Sequence, residues 1–170
     1  MTGKAPYTAH EIALWLKNWA ATGDEDESED LTNLKMQKLL YFAQGRYLAR
    51  YGTPLFSDRI EAWQHAPVVP DVYREMKYQP NKLAPSDDYD FGRLDKQTQS
   101  FLVGIWNSYG QYSAWKLRDM THQHGPWSRY FDPGKRGVEI PQAAIKEYFA
   151  LNVGPDANDG TRSEEHTSEL

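Results

Sequence analysis

The sequence contains no cysteine, which excludes disulfide bonds and thiolate-ligated metal centres. It also lacks an apolar run approaching the roughly 18 residues that a membrane-spanning helix needs. Its first residues show no apolar segment of the kind found in a secretory signal peptide. These absences predict a soluble, cytoplasmic protein that has no membrane partner.

Motifs that mark common enzyme classes are missing as well. There is no Walker A or GxGxxG loop, no GxSxG nucleophile elbow and no HExxH pair. His122 and His124 lie two residues apart, whereas a zinc site needs three or four converging ligands, so a structural role is favoured. His65, which follows Trp63, is interpreted as a backbone-bonded histidine. The prediction is a non-enzyme with no cofactor and no metal; a metal-dependent hydrolase stays as a less favoured alternative.

The net charge of −5 conceals an uneven distribution. Six of the 24 acidic residues lie in Asp24–Asp30, which is predicted to be a solvated loop. The last segment, Arg162–Leu170, reads "RSEEHTSEL" and resembles the translation of a sequencing adapter, so it is predicted to be a non-native scar. The rest of the chain is only weakly basic. Because nucleic-acid binding requires a clustered basic face, a nucleic-acid partner is not expected.

The spacing of apolar residues predicts a mainly α-helical domain. Thr8 and Glu11 form a capping box that starts the first helix. Leu31–Gly52 is helical but apolar on nearly every side, which predicts a central helix packed on two sides. Further helices are expected at Pro70–Met76, Asp95–Tyr109, Ser113–Met120 and Pro141–Phe149, with short strands near Ile60–Gln64 and Val138–Ile140. The predicted fold is about six helices around a central buried helix, with a small β-sheet, in a single domain.

One face of the central helix carries the predicted binding residues. Lys35, Lys38 and Arg46 share this face with Phe42 at helical spacing. An aromatic side chain among exposed cations is typical of a protein-binding surface, so these four residues are the predicted partner contacts. Phe42 could equally be buried beneath another helix. Two other interfaces remain possible, the aromatic loop Trp127–Phe131 and the acidic loop Asp24–Asp30.

Four segments carry a resemblance to a known family. They read "LTNLKMQKLLYFAQGRYLARYGTPLF", "IEAWQHAPVVPDVYREM", "THQHGPW" and "IPQAAIKEYF", in this order. Together they resemble the Panacea domain family of SocA-like antitoxins and phage-associated GepA-like proteins. The resemblance covers about residues 5–151 and divides the chain into a domain at 1–154, a tail at 155–161 and the scar at 162–170.

The resemblance implies an antitoxin of a bacterial or phage toxin–antitoxin pair. Such a protein binds and neutralises a toxin encoded by a neighbouring gene. The alternative it implies is a proteolytic adaptor that delivers the toxin to a cytosolic protease. The family supplies no catalytic residue, and the matching positions are implied to be mostly scaffold: Leu34, Gln37, Lys38, Leu39, Leu40, Tyr41 and Phe42. The family usually has a glycine before "PVV", whereas this sequence has Ala66. If that position requires positive φ, alanine strains the turn.

Overall fold

The computed structural model describes most of the chain. Its backbone is described for residues 5–64, 66–122 and 125–152, without the side chains of residues 27–29, 122 and 152. The predicted tail and scar, His65, His124 and the side chain of His122 therefore lie outside the described residues.

The helices follow the predicted order. They are α1 (Ala9–Ala21), α2 (Glu25–Asp30), α3 (Asn33–Tyr51), α4 (Pro70–Tyr78), α5 (Lys96–Tyr109), α6 (Ala114–His122), α7 (Pro126–Tyr130) and α8 (Gln142–Asn152). The six predicted helices are confirmed as α1, α3, α4, α5, α6 and α8. The two short helices α2 and α7 occupy segments that were predicted to be loops, so those two predictions are wrong.

Local backbone and capping features explain where α1 and α3 begin and where α3 ends. The Glu11 backbone N–H donates to Thr8 Oγ1 at 3.2 Å, and the Thr8 N–H donates to Glu11 Oε1 at 3.0 Å, which confirms the capping box. At the start of α3 the Lys35 N–H donates to Thr32 Oγ1 at 3.3 Å. Gly52 ends α3 with φ 81°, a left-handed conformation that glycine adopts without strain.

A three-stranded antiparallel sheet lies beside the helices. Its strands are β1 (Ile60–Ala62), β2 (Pro67–Val68) and β3 (Val138–Ile140), in the order β2-β1-β3. Glu61 in the middle strand is opposite Val68 on one side and Glu139 on the other. Among the described residues no non-glycine has positive φ, so Ala66 does not strain its turn. The sheet brings the segment before β3 next to the end of β1.

The core is organised around α3, as predicted. All ten residues from Lys35 to Gln44 are buried, as are Gly45, Arg46 and Leu48, so no side of the helix is left open along most of its length. At Gly45 the ring of Phe149 from α8 packs so closely that a Cβ would collide with it. The result is a single mainly α-helical domain with a small sheet. Within residues 5–64, 66–122 and 125–152, no helix is long and apolar enough to cross a membrane.

Candidate partner-binding site

The predicted basic face of α3 is buried in the structure. Lys35, Lys38, Phe42 and Arg46 have exposed fractions of 1%, 0%, 6% and 5%. The expectation that this face is open to solvent is therefore wrong. It fails because residues from α5 and α6, far away in the sequence, lie against it. Contact between these four residues and a partner stays a prediction, and it requires the covering elements to move.

Lys35 is buried with two hydrogen-bond acceptors. Its Nζ donates to Asp30 Oδ2 at 2.6 Å and to the carbonyl oxygen of Gly110. It also lies 5.8 Å from the centroid of the Trp106 ring, a cation–π contact. Asp30 belongs to α2, so the acidic segment that was predicted to be a solvated loop supplies the counter-charge of a core lysine.

Phe42 and Arg46 both contact Tyr109 at the end of α5. The rings of Phe42 and Tyr109 stack with centroids 4.3 Å apart. Arg46 Nη1 donates to Tyr109 Oη at 2.8 Å. Burial raises the pKa of Tyr109 despite the opposing effect of the Arg46 charge. These contacts make both residues part of the core, while Arg46 Nη2 has no hydrogen-bond partner among the described residues.

Lys38 differs from Lys35 because no described residue accepts a hydrogen bond from its ammonium group. Its Nζ is buried and finds no hydrogen-bond acceptor in the described part of the chain. Burial, together with the nearby positive charge of Arg118, lowers the pKa of Lys38 from 10.5 to about 8. No sequence signal distinguishes this lysine from Lys35, because the difference lies entirely in what surrounds each ammonium group.

An open groove lies between the end of β1 and the segment before β3. We call it the basic–aromatic groove and define it by Trp63, Arg74, Phe131, Lys135 and Arg136. It encloses about 860 Å³. The three cationic residues are exposed, the two aromatic residues are partly exposed, and the lining also includes the carboxylates of Glu61 and Asp132. Tryptophan and arginine are, with tyrosine, the residues enriched among the energetically dominant contacts of protein interfaces.

The aromatic walls of the basic–aromatic groove are held in place from behind. Trp127 Nε1 donates to the Trp63 carbonyl oxygen at 2.7 Å, and the Trp127 ring stacks on Phe131 at 4.9 Å. Trp63 Nε1 in turn donates to Glu61 Oε1 at 2.9 Å, and its ring meets Tyr73 edge-on at 4.9 Å. A surface that is rigid before binding loses little conformational entropy when a partner docks.

One wall of this groove lies in a segment that the sequence indicates as an alternative interface. The segment Trp127–Phe131 contains Phe131 and Trp127, which supports it. The remaining groove residues were missed, because Trp63, Arg74 and Lys135 come from three separate segments that only the folded chain brings together. The available signal was an excess of aromatic residues, which does not say which of them face solvent.

A second cleft lies beside the start of α1 and helix α4. His10 Nδ1 lies 2.9 Å from Glu75 Oε1 there, and Asp58 Oδ1 accepts from the Ala9 N–H at 2.8 Å. In the described ranges, no group of three or more His, Cys, Asp or Glu side chains is arranged to hold a metal ion. His124 and the side chain of His122 lie outside those ranges.

Comparison with known proteins decides the family. The family described as antitoxin SocA-like, Panacea domain, matches residues 36–128. Antitoxin SocA of Caulobacter vibrioides (strain NA1000 / CB15N) is 33% identical to this chain over 150 residues, which cover 76% of this chain and 80% of that protein. This chain belongs to the SocA-like antitoxin, Panacea domain family. No solved structure matches it.

The stretch that matches the Panacea domain contains only parts of the two candidate surfaces. Residues 36–128 begin within α3 and end within α7, so they include Lys38 and Trp63. Phe131, Lys135 and Arg136 lie beyond the matched stretch. The basic–aromatic groove of this Panacea protein therefore has one wall inside the matched region and one outside it.

Proposed function

We propose that this protein is a cytoplasmic antitoxin of a bacterial or phage toxin–antitoxin pair. It neutralises a toxin encoded by a neighbouring gene through direct protein–protein binding, and it acts as a non-enzymatic regulator. The observation that carries this proposal is membership of the SocA-like antitoxin family, with similarity to Antitoxin SocA over most of both chains.

The basic–aromatic groove is the proposed toxin contact. It presents exposed cations beside aromatic rings that are already fixed by hydrogen bonds and stacking. The buried face of α3 offers no such surface in the free protein. Partner charges opposite those of the groove would speed association and select the correct toxin.

Co-expression tests the function and the surface together. The neighbouring gene should be toxic when expressed alone and tolerated together with this protein. A variant with Arg74, Lys135 and Arg136 all changed to Glu should keep its melting temperature, since all three are exposed, but lose rescue.

The matched control changes three exposed cations outside the groove, Lys82, Arg93 and Lys96, to Glu. It imposes the same change of net charge and should rescue normally. If both variants rescue, the toxin binds elsewhere; if both fail, the effect is one of overall charge. If no neighbouring gene is toxic, the antitoxin proposal itself is contradicted.

The same strains separate direct neutralisation from proteolytic delivery. Direct binding leaves the toxin's half-life in a pulse-chase experiment unchanged or longer, because a bound toxin is protected. An adaptor shortens that half-life and requires the protease. A shortened half-life would assign the adaptor role in place of neutralisation by binding alone.

A further inference from the structure

Lys38 is a buried cation for which the described residues offer no hydrogen-bond acceptor. Its side chain is inaccessible and its Nζ has no acceptor among the described residues. A buried charge is costly unless it is paired and hydrogen-bonded. Folding stability therefore gives no reason for a lysine at this position.

Lys35 shows that the same helix can satisfy a buried lysine. It lies three residues away with an almost identical exposure, yet its Nζ has both a carboxylate and a carbonyl oxygen as acceptors. The two lysines thus form an internal comparison. At Lys35 the counter-charge comes from Asp30, whereas no described residue supplies one at Lys38.

The surroundings of Lys38 fit an incoming carboxylate. Arg118 of α6 is close enough to lower the pKa of Lys38, and within the described residues neither cation forms an ion pair. Two neighbouring positive charges repel each other until an anion lies between them. A carboxylate would accept hydrogen bonds from both.

Helix α6, which carries Arg118, also presents an anchor for a partner. Trp115 is 66% exposed, and the Arg118 guanidinium lies 5.1 Å from its ring centroid. Of the described α6 side chains only Leu117 and Thr121 are buried, so a shift of this helix that gave a partner access to Lys38 would withdraw only these two fully buried side chains from the core. In the chain, α6 is followed by α7, which supports the basic–aromatic groove through Trp127.

We propose that Lys38 and Arg118 bind a carboxylate side chain of the protein partner, and that an apolar partner residue next to this carboxylate packs against Trp115. This inference rests on the proposed function, since the partner is the toxin. It names the chemistry that the partner must provide: an acidic residue next to an apolar one, on a segment that displaces α6 slightly from α3.

The test begins with the two lysines in the protein alone. Lys38→Met should raise the melting temperature, because it removes an unpaired buried charge without emptying the space. Lys35→Met should lower it, because it leaves the Gly110 carbonyl oxygen and Asp30 without their donor. A lower melting temperature for Lys38→Met would show that the lysine is satisfied in the native protein and would overturn the proposal.

The second part measures binding of the purified toxin by titration calorimetry. Lys38→Met should weaken binding at least tenfold although it stabilises the fold, a combination that a purely structural role does not produce. Trp115→Ala should also weaken binding. Tyr78→Ala, which truncates a similarly exposed aromatic residue of α4 outside the basic–aromatic groove, should not.

Replacing each toxin Asp and Glu by its amide identifies the carboxylate. One replacement should weaken binding to the wild-type protein and have no further effect in the Lys38→Met background. Equal toxin affinity of wild type and Lys38→Met would overturn this inference but leave the proposed function intact. Absence of any toxin that binds the wild type would contradict both.

Discussion

Individual buried side chains in this protein carry charges that the solvent normally stabilises. Lys38 is the clearest example, since burial and the Arg118 charge lower its pKa from 10.5 to about 8. That difference corresponds to about 3 kcal/mol of destabilisation at neutral pH, where the lysine must be charged in both states.

The pKa of Lys38 leads to a prediction about pH. Its folded pKa lies below its unfolded one, so between pH 8 and 10.5 the unfolded chain binds more protons, and this group's destabilising effect fades as pH rises. The excess unfolding free energy of Lys38→Met over wild type should therefore fall from about 3 kcal/mol at pH 7 to about 1 kcal/mol or less at pH 10.

Urea denaturation of both proteins at each pH measures this difference. Comparing the two proteins cancels the effect of tyrosines such as buried Tyr109 and half-buried Tyr148, whose raised pKa makes stability fall as pH rises past about 10. A gap that does not change with pH would mean that Lys38 has an ordinary pKa in the folded protein.

At the scale of elements, α2 connects the acidic run to the core. The sequence predicts that Asp24–Asp30 is a solvated loop. Asp30 contradicts that prediction, because it pairs with buried Lys35 at 2.6 Å. The remaining carboxylates of this run still account for much of the acidity of the chain.

We expect Asp30→Asn to lower the unfolding free energy by about 1–3 kcal/mol, since it weakens the partner of a buried charge. Asp26→Asn is the matched control in the same helix; its side chain is exposed and it should change stability by only a few tenths of a kcal/mol. Chemical denaturation at low and high salt measures both. Equal effects of the two substitutions would show that the Asp30–Lys35 pair contributes nothing.

Helix α3 illustrates the same dependence on neighbouring elements. Changing Lys35, Lys38 and Arg46 together to Glu would preserve the melting temperature only if all three side chains faced solvent. Since all three are buried, the triple variant cannot separate binding from folding. The exposed cations of the basic–aromatic groove can do so.

For the whole molecule, stability depends on one helix that contacts several others. Leu40 in α3 is fully buried, so Leu40→Asp places an unpaired carboxylate in the core. The cost of several kcal/mol approaches the total stability of a domain, and we expect insoluble or unfolded protein.

Leu34→Asp supplies the comparison, because Leu34 belongs to the same helix but is 38% exposed. It should remain soluble and unfold cooperatively, as judged by circular dichroism during heating. If Leu40→Asp behaves the same way, the central position of α3 is contradicted.

Local sequence determined most of the elements and the family. The capping box of α1 joins residues three apart, and Gly52 ends α3 through its own backbone conformation, so both are readable without knowledge of the fold. The ordered motifs that resemble the Panacea family are likewise properties of the linear chain.

The tertiary structure alone decided which of these residues a partner can reach. Lys35 meets the Gly110 carbonyl oxygen across 75 positions of the chain, and Trp63 meets Trp127 across 64. A lysine on a helical face has the same sequence signature whether water or another helix covers it. Burial of the basic face and assembly of the basic–aromatic groove therefore depend on long-range packing, which periodicity does not encode.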